Sequence, residues 1–302
     1  MTSPGALLDR LAESEWQGAA DEHRQRIDEL LERHPSRYTT PDVGDAVHPV
    51  WGFLFTYYSF RPAQLRRWHP GFGVGLQGRS ARHHLDYRGY VRCGDLVTVG
   101  RDFLDKRRET IDYVVHLLSA TAERTPRLNC FGMHEWAMVY QASPEQIRHA
   151  GVPLRLSPAE TDEVVRSQPP RCTHFDAFRF FTPPARPLNL TVLNRRTQPE
   201  FEQPGCLHAG MDLYKWSYKL APLLPSDVIA DAFDLALHHR EIDMRASPYD
   251  LSEFGMAPIQ IEEPAGRAEY IGVQSGLARR AQALRADLLE RCRSLSDRTT
   301  SA

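Results

Sequence analysis

The sequence predicts a mainly α fold, a single helical domain carrying one small β-hairpin. Three observations predict it. Apolar residues recur at helical spacing over long stretches, most clearly over residues 226–244, where Val228, Ile229, Ala232, Phe233 and Ala236 form one stripe. Ser143-Pro144-Glu145-Gln146 and Ser157-Pro158-Ala159-Glu160 each read as a capping box with proline at the first helical position. Strand-like alternation is confined to short pieces between residues 71 and 100, such as L-D-Y-R-G-Y-V-R and D-L-V-T-V.

Taken in order, residues 4–34 carry Leu7, Leu8, Leu11, Trp16, Ile27, Leu30 and Leu31 in a charged background, which predicts one or two amphipathic helices ending near His34-Pro35. A polar loop is expected over 36–46. Residues 48–60 are the most aromatic stretch and read as a buried helix; the basic run 61–71 that follows reads as a surface turn. The G-F-G-V-G of residues 71–75 lacks the glycine spacing and following helix of a nucleotide loop. Helical periodicity returns over 102–124 and in the C-F-G-M-H-E-W-A-M-V-Y-Q of 130–141, a mostly buried helix. Residues 172–181 alternate too irregularly to decide, 182–187 are proline-rich loop, and 189–202 are polar surface. Pro204-Gly205 then breaks the chain, and residues 266–295 form a long Arg/Ala/Leu/Glu-rich helix. With no internal repeat and no domain-sized linker, the expected layout is one domain over 1–302: a helical segment at 4–34, a core at about 48–251 and the long helix at about 266–295.

Composition narrows the function classes. A length of 302 residues, 41% hydrophobic and 25% charged, fits an ordinary globular chain. No apolar run reaches the roughly 18 residues of a membrane span, and the first residues lack a basic, then apolar, leader. Five scattered cysteines without a C-x-x-C point to a reducing cytoplasm and away from a disulfide scaffold or zinc finger. The formal charge of −2 balances 37 Lys+Arg against 39 Asp+Glu. The cations are almost all arginine, which suits bidentate phosphate or carboxylate contact, though a GC-rich genome also inflates arginine.

Four segments combine acids and bases with apolar neighbours: His134-Glu135, His174/Asp176/Arg179, His208/Asp212/Lys215 and Asp243/Arg245/Tyr249/Asp250. If Q-P-G-C-L-H-A-G-M-D-L-Y-K-W-S-Y-K-L is helical, His208, Asp212 and Lys215 share one face while Leu213, Trp216 and Leu220 anchor an adjoining one. Each segment alone can be a satisfied core pair or a helix-end salt bridge; four together suggest that the buried acids converge. Metal ligation is one possibility, through His174-x-Asp176 and His208-x3-Asp212, but H-E-x-x-H and paired Glu-x-x-His motifs are absent. Nucleophilic hydrolysis has less support, without a G-x-S-x-G. Carboxylate-driven glycosidic cleavage is the third class: departure of a base builds oxocarbenium character on the sugar, which a carboxylate stabilises. On DNA such an enzyme needs aromatic faces and cations besides.

The blocks H-P-V-W-G-F-L-F-T-Y-Y-S-F-R-P-A-Q-L-R-R-W-H-P-G, C-F-G-M-H-E-W-A-M-V-Y, C-T-H-F-D-A-F-R-F-F-T-P-P-A-R-P-L-N-L, E-Q-P-G-C-L-H-A-G-M-D-L-Y-K-W-S-Y-K-L and D-M-R-A-S-P-Y-D-L resemble the signature blocks of a bacterial family labelled 3-methyladenine DNA glycosylase. They cover His48 to Leu251 with gaps. The resemblance implies a DNA glycosylase that leaves an abasic site, acting on an alkylated purine or, as antiviral defence, on a bulky modified base of phage DNA. DNA is then the partner, and neither a cofactor, a metal nor an obligate protein partner is expected; the alternative is a metal-dependent helical enzyme acting on a small molecule. Roles follow from chemistry. Glu135 and Asp212 are the preferred carboxylates, with Asp176 and Asp243 in reserve and His134 and His208 orienting them. Lys215 is a candidate Schiff-base nucleophile. Trp136, Phe178 and Tyr214 are candidates for stacking, and Arg66, Arg67, Arg179, Arg245 and Tyr249 for phosphate or base contacts.

Overall fold

The computed structural model describes residues 8–40, 44–147 and 151–300. Within them the fold is mainly α, with two small sheets. Residues 4–7 of the expected first helix, including Leu7, and residues 41–43 of the expected loop lie outside the described residues.

The chain opens with strand β1 (Asp9–Leu11) and helix α1 (Glu13–Arg33). The start therefore differs from the expected helix: Leu11 lies beside Leu76 in a parallel pairing with strand β4 (Val74–Leu76). The expected polar loop is largely a hairpin, β2 (Arg37–Thr40) against β3 (Gly44–Val47), held by an Arg37–Asp45 ion pair at 2.7 Å. The aromatic stretch forms one short helix, α2 (Gly52–Tyr57), and the basic run expected as a turn opens on another, α3 (Pro62–Leu65). The hairpin expected between residues 71 and 100 is β5 (Tyr90–Cys93) with β6 (Leu96–Val99), completing a four-stranded sheet of order β1-β4-β6-β5.

Helices α4 (Arg101–Asp105) and α5 (Arg108–Ala122) follow, then α6 (Met133–Val139). The second capping box forms as expected: Ser157 Oγ accepts from Glu160 N at 3.3 Å and starts α7 (Pro158–Ser167). The first yields only a single 3-10 turn over Pro144–Gln146. The undecided segment is one helical turn, α8 (Phe175–Phe178), and another turn, α9 (Gln198–Phe201), sits in the stretch read as polar surface.

Three helices make the centre: α10 (Leu207–Lys219), α11 (Ser226–Arg245) and the 37-residue α12 (Pro264–Thr300), which at 1.5 Å per residue is roughly 55 Å long. Ten of the 13 residues of α10 are buried, so it is a core helix with polar cargo rather than a surface amphipathic one. Gly210 lets α11 close onto it: a Cβ there would lie 2.3 Å from His239 Nε2. The turn before α10 is fixed by Gln203, whose Oε1 accepts from Gly205 N at 2.7 Å and Arg127 N at 2.8 Å. From α12, Gln274 Nε2 donates to Gly205 O at 2.7 Å. One large apolar cluster runs through these helices, including Leu213, Tyr214, Phe233 and Tyr270; a smaller one gathers Val50, Val139, Met244 and Tyr249. No helix among the described residues is long and apolar enough to cross a membrane.

Candidate active site

Buried charge is costly unless paired, and α10 and α11 carry an unusual amount of it. The first group centres on Asp212, 2% exposed. Its Oδ2 accepts from Lys215 Nζ, one turn further along α10, in a short contact, and lies 3.1 Å from His174 Nε2 at the start of α8. Its Oδ1 accepts from Tyr58 OH at 3.1 Å. Lys215 Nζ also donates to Asp176 Oδ2 at 3.0 Å, and Glu202 Oε2 lies 3.5 Å from His174 Nε2. Burial pushes the Asp212 carboxyl up, but the Lys215 ammonium and then His174 override it and hold the group well below the usual carboxylate range. Asp176 is lowered too: burial opposes, the Lys215 charge prevails. Lys215 is correspondingly raised, burial being outweighed by Asp212 and Asp176. At neutral pH this group is an ammonium locked between two carboxylates.

The second group lies against the first. Arg240, on α11, donates from Nη1 to Glu135 Oε1 at 2.8 Å and to Asp243 Oδ2 at 3.0 Å. His134 Nε2 is 3.3 Å from Glu135 Oε1 and 3.6 Å from Asp243 Oδ2, and His208 Nε2 is 3.7 Å from Asp243 Oδ2. His208 joins the two groups, its ring 4.1 Å from that of His134 and 5.5 Å from that of His174.

Four of the expected acids therefore gather in one region, with Glu135 and Asp212 lining the same cavity together with Phe53, Tyr57 and Phe180. That cavity holds only about 30 Å³, room for one or two waters and too little for a base. Asp176 is different. It lines the cavity and also the floor of an open cleft of about 810 Å³, a volume in the range of ligand sites. The cleft presents six cationic side chains, Arg67, Arg88, Arg107, Arg195, Lys215 and Lys219, against the carboxylates of Glu109 and Asp176. His69, pushed down to about 3 by burial, adds no charge at neutral pH. Aromatic faces come from Phe60, Tyr87, Tyr113, Trp216 and Tyr218. Lys215 and Lys219 lie 4.7 and 5.2 Å from the Trp216 ring centre. Asp176 is 12% exposed, its Oδ1 covered by Arg179 at 3.3 Å and Arg195 at 4.0 Å, both exposed side chains.

Several expected roles do not fit where the side chains lie. Trp136 is fully buried, its Nε1 donating to Ala246 O at 2.9 Å; Phe178 packs on Phe181, and Tyr214 sits among Tyr58, Tyr218 and Phe233. None of the three can stack on a base. Tyr249 belongs to the smaller core cluster. Arg66 pairs with Asp28 at 2.6 Å, and Arg245 donates to Ala257 O at 2.9 Å and lies 3.5 Å from Glu269 Oε1. Arg67 does line the cleft and stands 4.7 Å over Tyr87. His208 faces Asp243 rather than Asp212, whose imidazole partner is His174. Arg240, Tyr58 and Glu202 also belong to the site, although no motif points to them. Arg240-x-x-Asp243 was visible as an i, i+3 pair, whereas nothing local marks Glu202 as buried.

Comparison with protein-family models, with curated proteins and with solved structures returned no match.

Proposed function

We propose that the chain is a DNA glycosylase, hydrolysing the N-glycosidic bond of a modified base and leaving an abasic site. The observation that supports this best is the cleft itself: six cations and five aromatic rings around a carboxylate held ionised at its floor. Phosphates take the arginines and Lys219, and an unstacked base takes the rings. Among the acids, Asp176 replaces Glu135 and Asp212 as the preferred catalytic group. Those two line a cavity too small to admit a nucleotide, whereas Asp176 also lines the open cleft, its buried Oδ1 facing the exposed Arg179 and Arg195. A backbone phosphate competing for those guanidiniums would uncover Oδ1, leaving it to stabilise the oxocarbenium-like sugar or orient water.

Lys215 then serves as a positioning residue. Asp212 and Asp176 hold it protonated, which disfavours the free amine that a Schiff base requires. Hydrolysis without strand cleavage is the consistent mechanism. The volume of the cleft leaves room for a base bulkier than a methylated purine, such as a modified base of phage DNA.

The test is an abasic-site assay on a panel of single- and double-stranded DNAs carrying alkylated purines or phage-type modified bases. Base release from at least one member, with intact strands, supports the reading. Folded protein that releases no base from any member refutes it.

A further inference from the structure

We propose that His134, His208 and Asp243 form a binding site for one first-row divalent transition-metal ion, iron(II), manganese(II) or zinc(II). The inference goes beyond the glycosidic reading and does not depend on it.

Three helices bring the donors together: His134 from α6, His208 from the first turn of α10 and Asp243 from the last turns of α11. One ligand atom from each lies within 4.8 Å of the others. Metal–nitrogen bonds of about 2.0–2.1 Å in tetrahedral geometry set ligand-to-ligand edges of about 3.4 Å. The His134 Nε2–Asp243 Oδ2 and His208 Nε2–Asp243 Oδ2 separations are 3.6 and 3.7 Å, so these two edges need to close by only a few tenths of an ångström, and the edge between the imidazoles is within 4.8 Å. Two imidazoles and one carboxylate are the donor set these ions favour.

Two further observations point to a missing partner. Asp243 is 0% exposed, yet its Oδ1 makes no hydrogen bond among the described residues. Arg240 holds Oδ2, the oxygen 3.6 and 3.7 Å from the two imidazoles, so the ion would share Oδ2 with Arg240 or take Oδ1 after a small rotation of the carboxylate. The His208 ring, 18% exposed at its side chain, faces Asp243 and the rings of His134 and His174. In the first acidic group, by contrast, the Lys215 ammonium already fills the place between Asp212 and Asp176. The spacing-based pairs His174-x-Asp176 and His208-x3-Asp212 are thus not the donor set.

His134, His208 and Asp243 line a cavity of about 20 Å³ together with Arg171, Cys172 and Thr173, and those last three also line a groove of about 920 Å³, the side from which an ion would enter. The residues lining that groove are not among those lining the cationic cleft. A metal ion could be exchanged without displacing DNA.

The experiment uses tag-free full-length protein, stripped with chelator and titrated with iron(II) under argon, manganese(II) and zinc(II). Bound metal is read by mass spectrometry and affinity by calorimetry. One ion per chain is expected for at least one metal, with H208Q and D243N each weakening binding about tenfold or more. H208Q keeps the Arg240–Glu135–Asp243 network, so its thermal melt in chelator should match wild type. Cobalt(II) should give a d–d absorption band that H208Q loses. D176N should bind metal normally even where it abolishes base release, which separates this site from the cleft. Affinity weaker than about 100 µM for all three metals, or binding indifferent to H208Q and D243N, would overturn the proposal.

Discussion

Replacing Lys215 by methionine probes the buried charge network most sharply. The ammonium lies 3.0 Å from Asp176 Oδ2 and in short contact with Asp212 Oδ2, while Asp212 keeps only His174 and Tyr58, each at 3.1 Å, once it is gone. Removing one partner of a buried ion pair costs about 3–5 kcal/mol. The lower end applies, because His174 is held protonated beyond its ordinary range by the same carboxylate, against the opposing effect of burial. For 302 residues the unfolding entropy near the melting point is roughly 0.63 kcal/mol per kelvin, so about 3 kcal/mol lowers Tm by about 5 °C. The pH dependence gives a second, signed readout. In wild type both carboxylates are depressed on folding. Their contribution is complete above the unfolded carboxylate range and is lost only as pH falls through the folded values, so it is flat between pH 7 and 5. In K215M burial is opposed at Asp212 by the charge of His174 alone, so the folded pKa moves up from its wild-type value and protonation relieves the buried charge as pH falls. Urea denaturation followed by tryptophan fluorescence at pH 7 and pH 5 should show a deficit that narrows at the lower pH. A deficit under about 1 kcal/mol at pH 7, or one that widens at pH 5, would refute the network as described.

Other outcomes follow from the same geometry. Arg107→Gln with Lys219→Gln removes two cleft cations; the slope of log K against log salt should flatten by about 1.8 for duplex or about 1.4 for single-stranded DNA, and an unchanged slope would place DNA elsewhere. Borohydride should trap no covalent adduct between the protein and a cleaved substrate, because Lys215 stays protonated; an adduct lost in K215M would reverse the mechanism. Gly210→Ala drives a Cβ to 2.3 Å from His239 Nε2 between α10 and α11, and should cost roughly 1–3 kcal/mol in urea denaturation; a neutral effect would contradict that packing.

Elements with strong local signals were legible. α10 declared itself through the Pro204-Gly205 break and the polar row at His208, Asp212 and Lys215, and α7 through Ser157 and Glu160. The β1–β4 pairing was not, since Asp9 meets Val74 across 65 positions and three-residue strands carry too little alternation to read. The β2–β3 hairpin has little apolar alternation beyond Tyr38 and Ala46 and is held partly by Arg37–Asp45, a contact no periodicity reveals. At the site, composition exposed which segments carried charge but not how they would pair. Trp136 and Tyr214 looked like stacking surfaces because aromatic residues near acids read alike in a core and in a cleft; only packing showed both to be buried. The cleft aromatics Tyr87, Tyr113 and Tyr218 come from three distant segments and had no common local mark.

Single-turnover base release by wild type and D176N, on whichever modified DNA the wild type cleaves, tests the central claim most directly. With Asp176 at the cleft floor as the reacting carboxylate, D176N should bind that DNA about as tightly as wild type while its release rate falls about a hundredfold or more. Release by D176N at the wild-type rate would contradict the account and return the chemistry to another group.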